Sequence, residues 1–316
     1  MILARKGPGL HRANDSPEMA KIFECVPNIS EGRRADVIDA ARVAAADGKD
    51  VAVVDVSSDA SHNRSVITLV GTADGVVDAA IRLAGVVVER IDLRAHSGEH
   101  PRMGAIDVIP FIPVGESTMD EAVLLARRCA QSLWERYRLP SYFYAAAATR
   151  PERRKLADVR KGEFEGLLSS VAEPDRRPDV GEPALHPSAG IVAVGARDFL
   201  VAYNVDLATT DLKLAQRIAK GVRQMSGGFY GIQAKAFTID GAAAGRQPFV
   251  QVSMNVLDFC AIPLYRVTEL IRREAAAAGV GMLGCELVGL APLAAIASSA
   301  AYYLHLDGID AKQITW

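Results

Sequence analysis

The groups best able to move protons gather in one short segment, AHSGEHPRMGAID, residues Ala95–Asp107. It holds two of the chain's six histidines, two acids, an arginine and two glycines. His96, Glu99 and His100 spell H-x-x-E-H, the letters of an inverted zinc-protease motif. That motif needs a helix, where residues four apart share a face. Gly98 lies inside the segment and Pro101 follows it. Glycine weakens a helix by about 1 kcal/mol, and the residue before a proline is driven out of helical geometry. The segment therefore reads as a loop, and no metal is expected. General acid–base chemistry suits it better, because histidine titrates nearest neutral pH and Glu99 could tune it. The alternative is that His96 and His100 are loop residues satisfied by backbone.

Two more polar clusters accompany this loop. SSDASHNRS, residues Ser57–Ser65, reads as a turn after a buried strand. Its Arg64 could hold a carboxylate through a two-pronged fork, or could be a surface arginine on a turn. ECVPNISEGRR, residues Glu24–Arg34, follows the first strand. Asn28, Ser30 and Glu31 could line a site, but capping of the next helix is the stronger reading.

The elements that must position these loops follow from periodicity. Strands are expected at Lys21–Val26, Val51–Val56, Arg64–Val70, Ile106–Val114 and Tyr142–Ala147. Pro110 and Pro113 suggest that the fourth of these is an edge or a bulged strand. Helices are expected at Ala35–Ala46 and Asp74–Glu89, and from Thr118 to about Tyr137. Thr118 and Glu121 have capping-box spacing. Arg150–Pro187 is charged and proline-rich, with a short helix near Phe164–Val171, and reads as a connecting region packed over other elements. The second half runs strand Asp198–Leu207, helix Asp211–Arg223, strands Phe229–Ile239 and Phe249–Leu257 joined by DGAAAGRQ, helix Pro263–Ala278, strand Val280–Val288 and helix Pro292–Leu304. That order is the split β-α-β, ferredoxin-like pattern. The class is α/β (α+β).

The totals bound the function. At 316 residues the chain suits two domains. Half the residues are hydrophobic and the net charge is −2, so nucleic acid and membrane surfaces are poor partners. The four cysteines, Cys25, Cys129, Cys260 and Cys285, form no C-x-x-C pair and read as buried free thiols of a cytoplasmic protein. The apolar run Ala275–Leu304 is broken by Glu286 and Pro292, which favours strand plus helix over a membrane span. Residues 1–20 carry no signal-peptide core and read as a disordered tail or a late-start artefact.

The stretches ECVPNISEGRR, DVSSDASHNRSVITLVG, SGEHPRMGAIDVIPFIPV, AVGARDFLVAYNVDL, QVSMNVLDF and ELVGLAPLAA, in that order, resemble the formiminotransferase family. That family includes the transferase half of the bifunctional formiminotransferase-cyclodeaminase. The resemblance implies an N-terminal subdomain over 21–197 and a ferredoxin-like C-terminal one over 198–316. It implies mixed sheets facing across a tunnel that takes folate, and a homodimer. The family's catalytic histidine falls on His100. Its folate-binding stretch falls on Gly181–Gly190: Gly181, Ala184, Pro187, Ser188 and Gly190 are the expected contacts. Where vertebrate enzymes carry an aromatic beside that serine, Ala189 stands here. An acid often found two residues past Asp55 is replaced by Ser57, which leaves Asp55, Asp59 or Glu99 to orient the histidine.

The implied reaction moves a formimino group from N-formimino-L-glutamate to tetrahydrofolate, a co-substrate, in histidine degradation and one-carbon metabolism. His100 would take the proton from folate N5 and give one to the leaving nitrogen. Arg64 and Arg102 would hold the substrate's carboxylates, with Asn63 and Glu99 as further substrate contacts. Formyl transfer by the same site and a non-catalytic folate binder are the alternatives.

Overall fold

Residues 21–60, 62–98, 101–240 and 246–307 are described by the computed structural model of the chain. Glu99, His100 and the expected tail at 1–20 lie outside the described residues, as does most of the DGAAAGRQ turn.

The first half forms a seven-stranded mixed sheet. Its strands are β1 (Ile22–Cys25), β2 (Asn28–Ile29), β3 (Val51–Asp59), β4 (Arg64–Thr72), β5 (Ile106–Val114), β6 (Ser141–Ala145) and β7 (Val192–Ala196). β1 and β2 behave as one interrupted strand, since both pair with β4 on one side and β5 on the other. Pro27 sits at the interruption and offers only its carbonyl, which accepts from Ile67 at 3.0 Å. β3 closes one side on β4, and β7 lies parallel between β5 and β6.

β5 is central rather than an edge, and it carries the bulge that is the other reading of its prolines: the single step Asn28–Ile29 of β2 faces two steps of β5, Val108 to Ile106. Pro110 contributes its carbonyl, which accepts from Val26 at 3.2 Å. Pro113 lies beyond the last β5–β7 pair, Phe111 with Ala196. A proline is tolerated where the ladder asks for no N–H.

One face of this sheet packs on α1 (Ala35–Ala46), α2 (Ala73–Arg90) and α3 (Met119–Tyr137) around Phe23, Ile67, Leu83, Ile109 and Leu133. α3 starts with the expected capping box, in which Thr118 accepts from the Glu121 N–H and Glu121 accepts from Thr118. The opposite face is partly covered by the connecting region, whose short helices are α4 (Leu156–Val159) and α5 (Glu163–Ser170). Val159 and Leu167 pack there with Met103, Val108, Tyr142 and Tyr144. A buried ion pair of Arg153 with Asp179 anchors the region. Arg153 also donates to Arg177 O at 2.6 Å, and Asp179 accepts the Phe143 N–H at 2.8 Å.

The second half comprises β8 (Val201–Leu207), α6 (Leu212–Val222), β9 (Ile232–Ile239), β10 (Phe249–Val256), α7 (Leu264–Ala277), β11 (Met282–Val288) and α8 (Leu293–Tyr303). The strand order β11-β8-β10-β9 is that of the split β-α-β fold. Every pairing in it is antiparallel, so this sheet is not mixed as expected. α6 and α7 cover one face around Val205, Ile218, Val252 and Ile271. β11 and α8 leave Leu283, Leu287, Leu293, Ile296 and Tyr302 exposed.

Cys25 and Cys129 are buried, and burial pushes the Cys129 thiol up to about 12. Cys260 and Cys285 are exposed, against expectation. Cys260 lies in a turn, and Cys285 sits on the edge strand β11. No helix among the described residues is long and apolar enough to cross a membrane.

Candidate active site

The loop that leads to His100 is built on the β3–β4 turn. Asn63, in a left-handed conformation with φ 49°, ties three segments together. Its Oδ1 accepts from Gly32 N–H at 2.9 Å, and its Nδ2 donates to Ser97 O at 2.9 Å. Its carbonyl lies 3.1 Å from Nε2 of His96. Gly98 must be glycine here, because a Cβ would stand 2.4 Å from the carbonyl oxygen of His62. His96–Gly98 is irregular chain rather than helix, as expected.

On its far side the loop is tied to α5. Arg102 donates from Nη1 and Nη2 to the two carboxylate oxygens of Glu165, at 2.8 and 2.7 Å. Its remaining donors reach Glu163 at 3.5 Å, His96 O at 3.4 Å and Nδ1 of His96 at 3.2 Å. A guanidinium has five N–H groups, and here each meets a protein acceptor. The expectation that Arg102 holds a substrate carboxylate meets this filled donor set. Asn63 likewise has both side-chain atoms on backbone partners.

His96 is fixed as a neutral imidazole by the same contacts. Nδ1 accepts from Arg102, so the ring proton sits on Nε2 and points at Asn63 O. Burial, with Arg102 adding to it, pulls its pKa below the ordinary 6.5. His186 is depressed by burial too. In the unfolded chain these rings take a proton near 6.5, whereas the folded protein resists until lower pH. Across that window the unfolded state binds more protons, so stability falls as pH drops. The melting temperature is therefore expected to decline from pH 7.5 to 5.5. His96→Gln should flatten part of that decline and leave the part due to His186. An unchanged slope in the variant would show that His96 titrates alike in both states.

The remaining side chains line the sheet face opposite α1–α3. Arg64 donates from Nη2 to Asn28 Oδ1. Burial first, and then the neighbouring Arg160, hold its pKa down to about 10, while Asp107 and Asp59 act the other way. Arg160, at the end of α4, forms an ion pair with Asp107, whose Oδ1 takes the Met103 N–H at 2.9 Å. Asp59 is engaged by His62, which reaches it through N–H and Nδ1, both at 2.8 Å. Asp55 shares a strand face with Ser57, being two residues away. Its Oδ2 is buried with no hydrogen-bond partner among the described residues. It lies 3.8 Å from where a Cβ on Gly289 of the second half would sit. The His62 ring also meets Phe237 of β9 edge-on, at 5.7 Å. Glu31 accepts from the N–H groups of Arg33 and Arg34 at 2.9 Å, in the turn before α1, whose N-cap residue Arg34 receives no side-chain cap; the capping expected of this cluster is not made. Ser30 holds Gly104 O at 2.7 Å.

The stretch Gly181–Gly190 folds onto the same loop. Ala189 O accepts from Ala105 at 2.9 Å, and Met103 O accepts from Ile191 at 3.1 Å. Gly190 has φ +69°, and a Cβ on it would lie 2.2 Å from Met103 O. Ser188 O accepts from Leu93 at 2.8 Å, while Ala184 and Pro187 are exposed. Ala189 is fully buried in the core under the helices, so no ring is displayed at that position. Sequence reasoning missed Arg160, Asp107 and the His62–Asp59 pair. Arg160 belongs to a segment whose approach to this loop is set only by tertiary packing, whereas Asp107, Asp59 and His62 lie in segments singled out from sequence and only their partners were hidden.

Comparison with known proteins agrees on one family. The model for the formiminotransferase domain, N-terminal subdomain, matches residues 22–197, and the formiminotransferase domain model matches 202–312. A glutamate formimidoyltransferase of Streptococcus pyogenes serotype M1 is 44% identical over 292 residues, covering 92% of this chain and 96% of its own. One from Thermoplasma acidophilum is 42% identical, covering 93% and 95%. The formimidoyltransferase-cyclodeaminase of Gallus gallus is 40% identical over 92% of this chain but 53% of its own length.

Proposed function

Because this chain belongs to the formiminotransferase family along nearly all its length, we propose that it transfers the formimino group of N-formimino-L-glutamate to tetrahydrofolate. The products are 5-formimino-tetrahydrofolate and glutamate. The observation that carries this reading is the 44% identity to a glutamate formimidoyltransferase, with 96% of that enzyme's length covered.

N5 of tetrahydrofolate attacks the formimino carbon and a C–N bond forms. The tetrahedral intermediate then expels the glutamate nitrogen, which must be protonated to leave. His100 takes the N5 proton and returns one to that nitrogen. The chain holds the loop before and after His100 at both ends, through Asn63 and Arg102. Both are thus positioning residues in this reading, and Glu99 remains the substrate contact beside His100. Asp55 orients the histidine in this reading, since its Oδ2 is buried with no hydrogen-bond partner among the described residues while Asp59 is engaged by His62. Gly181, Ala184, Pro187, Ser188 and Gly190 line the folate site, in a cleft between the two sheets. Proximity of the two bound substrates supplies much of the acceleration, and no step calls for a metal.

We place the enzyme in the cytoplasm, as a step of histidine degradation, on the strength of its free thiols and its relatives. The exposed apolar residues of β11 and α8 support a homodimer, which light scattering on the purified protein would test. The reaction is tested by mixing protein, tetrahydrofolate and formimino-glutamate, then converting the folate product with acid to methenyl-tetrahydrofolate and reading its absorbance. Product is the expected result. Product only from N-formyl-glutamate or 5-formyl-tetrahydrofolate would reassign the donor, and folate binding without product from any donor would make the protein a binder.

A further inference from the structure

Polar side chains cross the face of the second sheet that α6 and α7 leave uncovered. Tyr203, Val205 and Val252 belong to the core under those helices, so Asn204, Asp206, Gln251 and Ser253 beside them point the other way. The register sets Lys235, Ser253, Asn204 and Glu286 in one row, and Phe237, Gln251, Asp206 and Gly284 in the next. This face stands near the reacting loop. Phe237 meets the ring of His62, and the following residue, Asn63, holds Ser97 O ahead of His100. Asp55 of β3 lies beside Gly289, shortly after Glu286 in the chain.

Four of these side chains form one network. Gln251 Nε2 donates to Asp206 Oδ1 at 2.9 Å and lies 3.5 Å from Glu286 Oε2. Asn204 Nδ2 donates to the same Glu286 oxygen at 3.1 Å. A carboxylate only accepts, so both amides must turn their NH2 groups toward the acids. Asn204 and Gln251 are 7% and 9% exposed, yet their carbonyl oxygens have no hydrogen-bond partner among the described residues. Asp206 has its counter-charge in Arg246 at 3.0 Å. Glu286 is exposed and has no ion-pair partner among the described residues. Both of its contacts fall on Oε2, and a carboxylate has about four acceptor sites.

The face therefore offers acceptors: Glu286 and two amide carbonyls. A matching ligand brings N–H donors and no negative charge. Formimino-glutamate brings two carboxylates, which Glu286 would repel. The reduced pterin ring of tetrahydrofolate is uncharged and carries N–H groups at the 2-amino nitrogen, N3 and N8. The 2-amino group and N3–H lie side by side, the arrangement that a carboxylate receives in a two-pronged contact.

We propose that Glu286, positioned by Asn204 and Gln251, seats the pterin ring of tetrahydrofolate by accepting from its 2-amino group and N3–H. This rests on the transferase reading above. The two amide carbonyls receive further N–H groups of the ring, and the second half of the chain thereby holds the heterocycle that carries the attacking N5.

The test measures tetrahydrofolate binding by calorimetry in wild type and Glu286→Met, which keeps the length of the side chain and removes its acceptors. Circular dichroism reports folding. The variant should bind tetrahydrofolate about 10- to 100-fold more weakly. Its KM for formimino-glutamate should stay as in wild type. The 2-desamino-2-methyl analogue of tetrahydrofolate, which lacks the 2-amino donors, supplies a second readout that needs no altered protein. Wild type should bind it more weakly than tetrahydrofolate, and Glu286→Met should bind the two nearly alike. A folded variant that holds tetrahydrofolate as wild type does would overturn the proposal. So would an analogue that wild type binds as well as tetrahydrofolate, or a loss confined to formimino-glutamate. Wild type that binds tetrahydrofolate but forms no product would instead sink the transferase reading, since binding is read apart from turnover.

Discussion

His100→Ala is expected to lower turnover of formimino transfer about 10²- to 10⁴-fold while folate binding persists. The reasoning begins with the neighbouring histidine. His96 has both ring nitrogens committed, one accepting from Arg102 and the other facing Asn63 O. It cannot shuttle a proton without placing a charge against Arg102. The histidine proposed for the chemistry is the other one, His100, and the described chain on either side of it is held at Gly98 and at Arg102. Folate binding should survive because the expected contacts lie on 181–190, which pack through backbone bonds to 103–105. Stopped assays at saturating substrate, with folate binding followed by quenching of Trp134 or Trp316, check both halves. Near-wild-type turnover in the variant would remove His100 from the chemistry. Loss of folate binding along with turnover would make its role one of binding.

Asp179→Ala should destabilise the protein by about 3–5 kcal/mol, the range for stranding one partner of a buried ion pair. Arg153 and Asp179 have side chains only 5% and 7% exposed. With the carboxylate gone, Arg153 would keep its carbonyl contacts to Arg177 and Asp175 but no counter-charge. Phe143 N–H and Thr149 Oγ1 would lose their acceptor as well. The damage would reach the site, because the same region carries Arg160, Glu163 and Glu165. Urea unfolding followed by circular dichroism measures the loss, and a midpoint shift worth less than about 1 kcal/mol would show that water replaces the carboxylate.

Much of the fold was legible because its elements obey local rules. α1 begins and ends where the apolar spacing predicts, and Thr118 with Glu121 forms the capping box that their spacing announces. The strand order of the second half follows from the succession of strands and helices alone. What escaped was set by distant partners. β7 is a short buried run with no polar alternation, and its role is visible only once it lies between β5 and β6. The prolines of β5 signal an edge or a bulge; the bulge is there, and only the register shows that the strand is central and that their missing N–H groups are not needed. At the site, the loop character of His96–Gly98 could be read from Gly98 and Pro101. The capture of Arg102 by Glu165 could not, since it depends on how α5 docks 63 residues downstream. The antiparallel second sheet departs from the mixed one that the resemblance implied.

The insertion of β7 between β5 and β6 has a consequence for how the chain comes off the ribosome. Among the described residues, β6 pairs with the sheet only through β7. A nascent chain that has passed residue 145 therefore has a strand with nowhere to dock until the following 50 or so residues have emerged. Over that interval the edge of β5 that pairs with β7 stands open to solvent. Nascent chains halted before Val192 should engage chaperones, and those released past Ala196 should not, so the slow step of making this protein falls between its two halves rather than at the end.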